Sequence, residues 1–360
     1  MAMSPSRSEA GEQALLGAAQ KGDEGAFGEL VGPHRRELHA HCYRMLGSVH
    51  DADDAVQDAL LRAWRGLPAF EGRSSLRSWL YKIATRTALD VAQRRAKREL
   101  PAHYGPPARP GAVPGAVLVE HVWVEPYPDH EFVEAGKASP EALYEQRESL
   151  ELAFVAALQY LPPLQRSTLI LRDVLGFAAQ EVAAQLGTSV QAVNSALQRA
   201  RASTSRRVPA QSQQATLRSL GDEGLRQLVE RYVGALERGD AETLVGMLTK
   251  DAAWAMPPLA TWYQGRDAIR DFLVNYGFQE RWRHLPTRAN GQLALGCYTL
   301  DADKGCCVAS ALAVLRLEGD QVAEVDYFIT SELLRRWGND DGGLVGSEAF
   351  PRFGLPAELA

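Results

Sequence analysis

The sequence is short of the features that would place it in several large classes. Only four cysteines, Cys42, Cys297, Cys306 and Cys307, stand among 360 residues. They form no CxxC pair and have no histidine ladder nearby, which speaks against a zinc module or a disulfide framework and leaves them as reduced core thiols. No apolar run approaches the roughly 20 residues of a membrane span. The opening stretch MAMSPSRSEAGEQ also lacks the apolar core of a secretory signal, so the expected location is the cytoplasm. An excess of positive charge is missing too: the net charge of −6 argues against a protein that holds naked DNA by bulk electrostatics.

What is present is the balance of a folded soluble chain, with 46% hydrophobic and 23% charged residues. The length exceeds one ordinary core and implies two or three domains of roughly 100 to 200 residues. Charge is unevenly distributed. Between Arg77 and Glu99 there are seven basic residues against two acidic, and between Glu120 and Glu148 eight acidic against two basic. A basic helical block followed by an acidic connector fits a protein that touches DNA locally while a larger partner supplies most of the affinity.

Apolar residues recur at helical spacing from about Glu12 to Leu100. In DADDAVQDALLRAW, Val56, Ala59, Leu60, Ala63 and Trp64 share one face, which leaves Asp54, Gln57, Asp58 and Arg62 outside it; Asp51 is the expected N-cap. GLPAFEGRSS interrupts the pattern before SLRSWLYKIATRTALDVAQRRAKREL resumes a long amphipathic helix, in which Trp79 is expected in the core. Residues 101–140 are rich in proline and glycine and then acidic, and read as a linker; its aromatic segment VWVEPYPD is expected to dock on another part of the chain. Helicity returns over 141–207, a polar linker follows at 208–222, and two further helices lead into strands near 252–255, 292–300, 306–317 and 321–328. Glu318, Gly319 and Asp320 read as a hairpin turn. Helices first and strands last is an α+β signature. In the tail, 333–360, the spacing of Phe350, Phe353 and Leu355 points to docking.

The sharpest local signal is EVAAQLGTSVQAVNSALQRARA. A helix-turn-helix needs a small residue where its helices cross, a glycine in the turn and an aliphatic anchor in the second helix. Ala183, Gly187 and Val193 have that spacing, with Val182, Leu186 and Val190 completing the apolar seam. Gln191, Asn194, Ser195, Gln198, Arg199 and Arg201 are left to face outward, as side chains that can bond base edges or phosphates. The basic cluster Arg94, Arg95, Lys97 and Arg98 is on its own only a solvated face, because positive charge carries no sequence information.

DADDAVQDALLRAW, FEGRSSLRSWLYKIATRTALD and LPPLQRSTLILRDVLGFAAQEVAAQLGTSVQAVNSALQRARA together resemble the blocks of extracytoplasmic-function sigma factors of the sigma-70 family, over roughly the first 207 residues. The resemblance implies two all-α domains, region 2 at 12–100 and a helix-turn-helix region 4 at 141–207. It implies binding to core RNA polymerase and promoter DNA. Asp54, Gln57 and Asp58 would dock on the clamp coiled coil of the largest subunit, and the outer side of the helix-turn-helix would meet the flap. Phe70, Glu71, Gly72, Arg73, Ser74 and Ser75, with Arg86, Arg94 and Arg95, would handle the minus-ten element, where flipping a base costs a few kcal/mol that a pocket must return. The second helix of the helix-turn-helix would read the minus-thirty-five element, and the acidic connector would thread toward the polymerase cleft. Relatives often have asparagine where Arg86 stands, so the minus-ten preference is expected to differ.

The last third, 223–332, resembles SnoaL-like members of the ketosteroid-isomerase and nuclear-transport-factor superfamily through its GD joint, GRDAIRDFL, RANGQLALGCY and EVDYFI. That implies a cone-shaped α+β domain with an apolar pocket. Pocket candidates are Tyr232, Trp254, Tyr263 and Asp326, with Asp251 and His284 as further groups able to act on a ligand. No motif forces catalysis, metal or cofactor binding, so a regulatory domain with a possible small ligand is the favoured reading over an isomerase or cyclase fused to a DNA-binding module.

Overall fold

The computed structural model describes residues 7–118, 123–129, 147–337 and 345–360. Most of the acidic connector, including Glu120, Glu131, Glu134, Glu141 and Glu145, and the helix start expected at Glu141 lie outside these residues. The chain forms two units, one from the residues up to Arg95 with Leu161–Ser203, the other from Ala96–Tyr160 with Thr204–Ala360.

In the first unit, helices α1 (Arg7–Ala19), α2 (Glu24–Val31), α3 (Arg35–Leu46), α4 (Val49–Gly66) and α5 (Leu76–Arg94) pack together. Every residue of α3 from Leu38 to Leu46 is buried. His41 is held by Thr85 Oγ1 at 2.9 Å, and burial drives its pKa down to about 3, so it is neutral. The N-cap of α4 is Ser48, whose Oγ accepts from the Asp51 amide at 3.0 Å. Asp51 therefore sits in the first turn, three residues later than a cap, where its buried carboxylate faces the helix N-terminus and pairs with Arg95. Helix α5 ends at Arg94, short of the expected Leu100. The reason lies in the next residues: Arg98 is buried against the Trp123 carbonyl at 2.7 Å and Glu125 at 3.2 Å, and the Val124 amide bonds the Glu99 carbonyl. Arg98 and Lys97 thus leave the basic cluster and join the second unit. A four-residue turn, α6 (Pro101–Tyr104), follows.

Helix α7 (Leu152–Gln159) also belongs to the second unit, whereas α8 (Pro163–Leu169), α9 (Ala179–Leu186) and α10 (Val190–Thr204) complete the first. Arg166 of α8 is buried and donates to the carbonyls of Met45, at the end of α3, and Leu161. Burial lowers its pKa to about 10.

The second unit is a mixed sheet in the order β2 (Trp262–Gln264), β1 (Leu248–Ala255), β6 (Gln321–Ile329), β5 (Cys306–Glu318), β4 (Gln292–Asp301), β3 (Trp282–Ala289). Among the strands of the described residues, β1 and β6 are the pair that runs parallel. The short β7 (Glu358–Leu359) pairs with β5. Gly319 and Asp320 make the expected two-residue turn, and Asn290-Gly291, both at positive φ, makes another between β3 and β4. Strands β2 and β3 are not apparent in the sequence. β2 has three residues, and β3 carries Pro286, which a sheet tolerates because β3 is an edge strand.

Helices α11 (Gln213–Arg238), α12 (Ala241–Gly246) and α13 (Arg266–Phe272) bury Tyr232, Leu236, Leu244 and Ile269 against Leu293, Leu295, Ala313, Leu315 and Tyr327 of the sheet. Helix α14 (Ser331–Arg336) adds Leu333 and Leu334. Tail residues Phe350, Phe353 and Leu355 are buried as well. Phe350 meets Tyr298 edge to face at 5.6 Å, and Leu355 approaches Gly296 so closely that a Cβ there would lie 2.5 Å from it. Cys42 and Cys297 are buried, but Cys306 and Cys307 are half-buried at a strand start and are not core thiols.

The stretch expected as a polar linker, 208–222, is helical from Gln213, broken only at Gly221 with φ 65° and ψ 173°. Gln213 and Gln214 are buried, with side chains that bond backbone groups of the sheet and of a turn. Gln213 donates to the Leu317 carbonyl at 2.9 Å and accepts from the Leu317 amide at 2.7 Å, where β5 bulges away from β6. Gln214 donates to the Gly291 carbonyl, and its own amide bonds Glu151 at 3.1 Å. Replacing Gln213 by alanine strands a buried amide and a buried carbonyl, each worth about 1–3 kcal/mol. The expected result is a clear drop in the thermal midpoint of Gln213→Ala, whereas Gln227→Ala on the exposed part of α11 leaves it within measurement error.

Candidate functional site

Two places in the structure bring together the residues singled out by sequence. The first is the surface of the helical unit. Asp54, Gln57 and Asp58 are exposed along α4, and the next turn adds Leu61, an apolar side chain left 48% exposed on the same face. Sequence reasoning did not single out Leu61, although its spacing from Gln57 and Asp58 places it on the polar face of the helix. Arg62 bridges Asp58 at 3.4 Å and Asp90 at 3.1 Å. These pairs are exposed and contribute little to stability.

The loop before α5 places Phe70 against Trp79 with ring centroids 4.9 Å apart. Trp79 is half-buried, a platform as much as a core residue. Gly72 adopts φ 70°, Glu71 and Arg73 form an exposed pair at 3.2 Å, and Ser75 caps α5 by accepting from the Ser78 amide at 3.1 Å. Arg86 and Arg94 are exposed, while Arg95 is committed to Asp51.

Helices α9 and α10 form the helix-turn-helix. Gly187 takes φ 66° in the turn, and Ala183 and Val193 are buried where the helices cross. Val190, expected in the seam, is instead 38% exposed, because it opens α10 beside the turn. Gln191, Asn194, Gln198 and Arg199 are exposed, Ser195 is half-buried, and Arg201 makes a two-pronged pair with Asp173 at 2.7 and 2.8 Å. The first helix of this motif and the residue Phe177 just before it close on the first two turns of α5. Gln185 donates to Ser78 Oγ at 3.1 Å, and Phe177 packs edge to face on Tyr81 at 5.4 Å. The Arg77 guanidinium lies over both rings and pairs with Glu37 at 3.0 Å. A cleft between them is lined by Phe70, Glu71, Arg73, Ser74 and Ser75 on one side and Gln180 and Glu181 on the other.

The second place is an apolar cavity of about 340 Å³ in the other unit. Trp254 lines it, stacked on Tyr327 at 5.6 Å, and Trp282 stands edge-on to Tyr327 at 6.0 Å. Its polar end is His284, whose Nε2 lies 3.2 Å from the Tyr327 hydroxyl. Burial pushes the His284 pKa down to about 4. The other candidates do not line this cavity. Tyr232 is buried in the core, Tyr263 turns its hydroxyl to the Ala112 carbonyl at 2.9 Å, and Asp251 is exposed. Asp326 alternates with Tyr327 along β6 and so points to the opposite face of the sheet, where burial holds its carboxyl well above the usual range. The strand period placing Tyr327 and Asp326 on opposite faces was the signal that could have identified the tyrosine. Among the described residues no cluster of His, Cys, Asp or Glu could hold a metal ion, and no helix is long and apolar enough to cross a membrane.

Comparison with known proteins matches residues 30–99 to sigma-70 region 2, 151–203 to sigma-70 region 4 and 229–325 to a SnoaL-like domain. The ECF RNA polymerase sigma factor SigG of Mycobacterium tuberculosis is 41% identical over 342 residues, covering 93% of this chain and 85% of SigG. SigM of the same organism is 32% identical over 56% of this chain and 86% of its own length. In fold, the chain is similar to the crystal structure of the M. tuberculosis extracytoplasmic-function sigma factor SigJ, with a TM-score of 0.54 and 22% identity over 84% of this chain and 95% of SigJ.

The buried His284 generates a pH dependence. Its pKa is about 4 in the folded state against 6.5 when exposed, so the folded state binds fewer protons. Its contribution to stability is present above pH 6.5 and is lost as pH falls toward 4. In thermal melts across this range, His284→Gln is expected to flatten the acid-side decline relative to the parent protein.

Proposed function

The chain belongs to the ECF RNA polymerase sigma factors, and on that premise we propose how its surfaces divide the work of transcription initiation. As a sigma factor it acts with core RNA polymerase on promoter DNA. Asp54, Gln57, Asp58 and the exposed Leu61 form the docking face for the clamp coiled coil of the largest polymerase subunit, with acidic side chains around one apolar anchor. The Phe70 and Trp79 pair, with Arg73, Ser74 and Ser75, takes the flipped base of the minus-ten element by stacking and edge contacts. Gln191, Asn194, Gln198 and Arg199 read the minus-thirty-five element, and Arg201 joins them by exchanging Asp173 for a phosphate. The protein works in the cytoplasm, where its polymerase is.

One observation carries the regulatory part of the proposal: the contact of Gln185 with Ser78 at 3.1 Å. The minus-ten and minus-thirty-five elements are roughly 25 base pairs apart, about 85 Å along B-DNA at 3.4 Å per pair. A chain in which the first turn of α5, directly after the minus-ten loop, is bonded to the first helix of the helix-turn-helix cannot reach both. The described conformation is therefore a closed one, and polymerase binding supplies the free energy that opens it. The SnoaL-like domain tunes this equilibrium in cis, because a fused domain is present at high effective concentration. An enzymatic role for that domain is disfavoured by its chemistry, since a histidine with a pKa near 4 is a poor general base at neutral pH and the buried Asp326 faces away from the cavity.

Charge reversal of Asp54 and Asp58 to lysine is expected to weaken core polymerase binding at least tenfold in a pull-down titration, without changing the thermal midpoint. Unchanged affinity would remove the docking assignment. The double variant Phe177→Ala, Gln185→Ala should lengthen the distance between dyes placed at residues 71 and 191 in the free protein. It should also raise binding to promoter fragments in the absence of polymerase, and an unchanged dye distance would count against the closed state.

A further inference from the structure

The first part of the sequence linker, residues 105–118, is laid across the mouth of the cavity. Trp262 Nε1 donates to the Gly105 carbonyl at 2.9 Å, and the Ala108 amide donates to the Trp262 carbonyl at 2.8 Å. Farther along, Tyr263 Oη donates to the Ala112 carbonyl at 2.9 Å, and the Gly115 amide donates to Thr261 Oγ1 at 2.7 Å. The Leu118 amide reaches the Pro258 carbonyl at 3.2 Å, beside an antiparallel bridge from Val117 to Leu259. Between these anchors Val113 and Pro114 line the cavity itself, and Val113 is 65% exposed. An exposed valine at the rim of an apolar cavity is poorly satisfied by solvent and would gain by closing on an apolar occupant.

The interior defines that occupant. Aromatic faces from Trp254, Tyr327, Phe272 and Trp282 suit a flat molecule, and about 340 Å³ is at the small end of ligand pockets. Glu280 also lines the cavity, but it is 38% exposed and pairs with Arg336 at 3.7 Å, whereas the buried polar pair, His284 and Tyr327, is neutral at pH 7 and so favours one uncharged oxygen over a carboxylate or an ammonium group. His284 Nδ1 is buried and makes no hydrogen bond, its nearest carboxylate oxygen, on Glu237, lying 3.8 Å away.

We infer that the cavity takes a flat, uncharged, two- or three-ring molecule with a single phenol or carbonyl oxygen, and that residues 105–118 form its lid. This deepens, and rests on, the reading of the SnoaL-like domain as a regulatory module. The lid is part of the covalent connection between region 2 and region 4, so filling the cavity fixes a segment whose slack those regions need in order to separate.

The test uses full-length protein with 2-naphthol as the probe and naphthalene as the oxygen-free control. Quenching of tryptophan fluorescence should saturate with 2-naphthol, and hydrogen exchange of the 105–118 peptide should slow at least threefold. Tyr327→Phe should lose affinity for 2-naphthol but not for naphthalene. Gly115→Ala, whose Cβ would stand 2.5 Å from Thr261 Oγ1, should lift the lid and lower 2-naphthol affinity about tenfold with the cavity walls intact. Absence of saturable quenching overturns the ligand class, and binding without slower exchange at 105–118, or undiminished by Gly115→Ala, overturns the lid. Polymerase binding and run-off transcription, measured on the same samples without probe, report separately on the sigma-factor assignment.

Discussion

A backbone amide or carbonyl taken out of water must find a partner, and this constraint organises the second unit. Segments with no helix or strand of their own are nonetheless buried there, and side-chain amides make that possible. Asn290 holds the Tyr127 amide through Oδ1 and the Leu150 carbonyl through Nδ2, both at 2.8 Å. Gln292 accepts from the Leu152 amide at 2.8 Å and donates to the Leu315 carbonyl at 3.0 Å. With Gln213 and Gln214 these residues fasten the aromatic segment around Trp123, the start of α7 and the start of α11 to one corner of the sheet. The same logic sets the strap over the cavity, where Thr261 and Trp262 serve bends that no regular element could satisfy.

This constraint also explains what could be read from the sequence and what could not. The helix-turn-helix was legible because Ala183, Gly187 and Val193 report local geometry, and the later strands because alternation reports a sheet. The docking of VWVEPYPD was foreshadowed by its aromatics: Trp123 and Tyr127 are fully buried. The polar run QSQQAT misled, since glutamine has the composition of a linker whether its amide meets solvent or a strand. Strand β3 was hidden by its proline, and the end of α5 by arginines whose partners lie far along the chain. Pocket residues were the least legible. A tyrosine and an aspartate adjacent in EVDYFI differ only in which face of β6 they occupy, and that depends on register.

Two of the ionic systems of the helical unit show how burial decides the worth of a charge. Glu37 gathers His34, Arg77 and the Tyr81 hydroxyl, and those partners hold its carboxyl below the usual range despite the opposing effect of burial. Arg77 is in turn stacked on two rings, one from each region, so the cluster joins the two regions. Arg201 and Asp173, by contrast, have good geometry but a more exposed setting, so that pair contributes little to stability.

The boundary between the units crosses the chain at Arg95, at Tyr160 and again at Ser203, so that α7, the opening helix of region 4 by sequence, is housed with the SnoaL-like fold. A chain cut after the helix-turn-helix would keep α7 and lose the sheet residue Gln292 that its first amide is bonded to. Tyr127 and the start of α7 would lose the Asn290 and Gln292 side chains that hold their backbone amides. The accessory domain and the connector thus form one folded unit drawn from both sides of the helix-turn-helix.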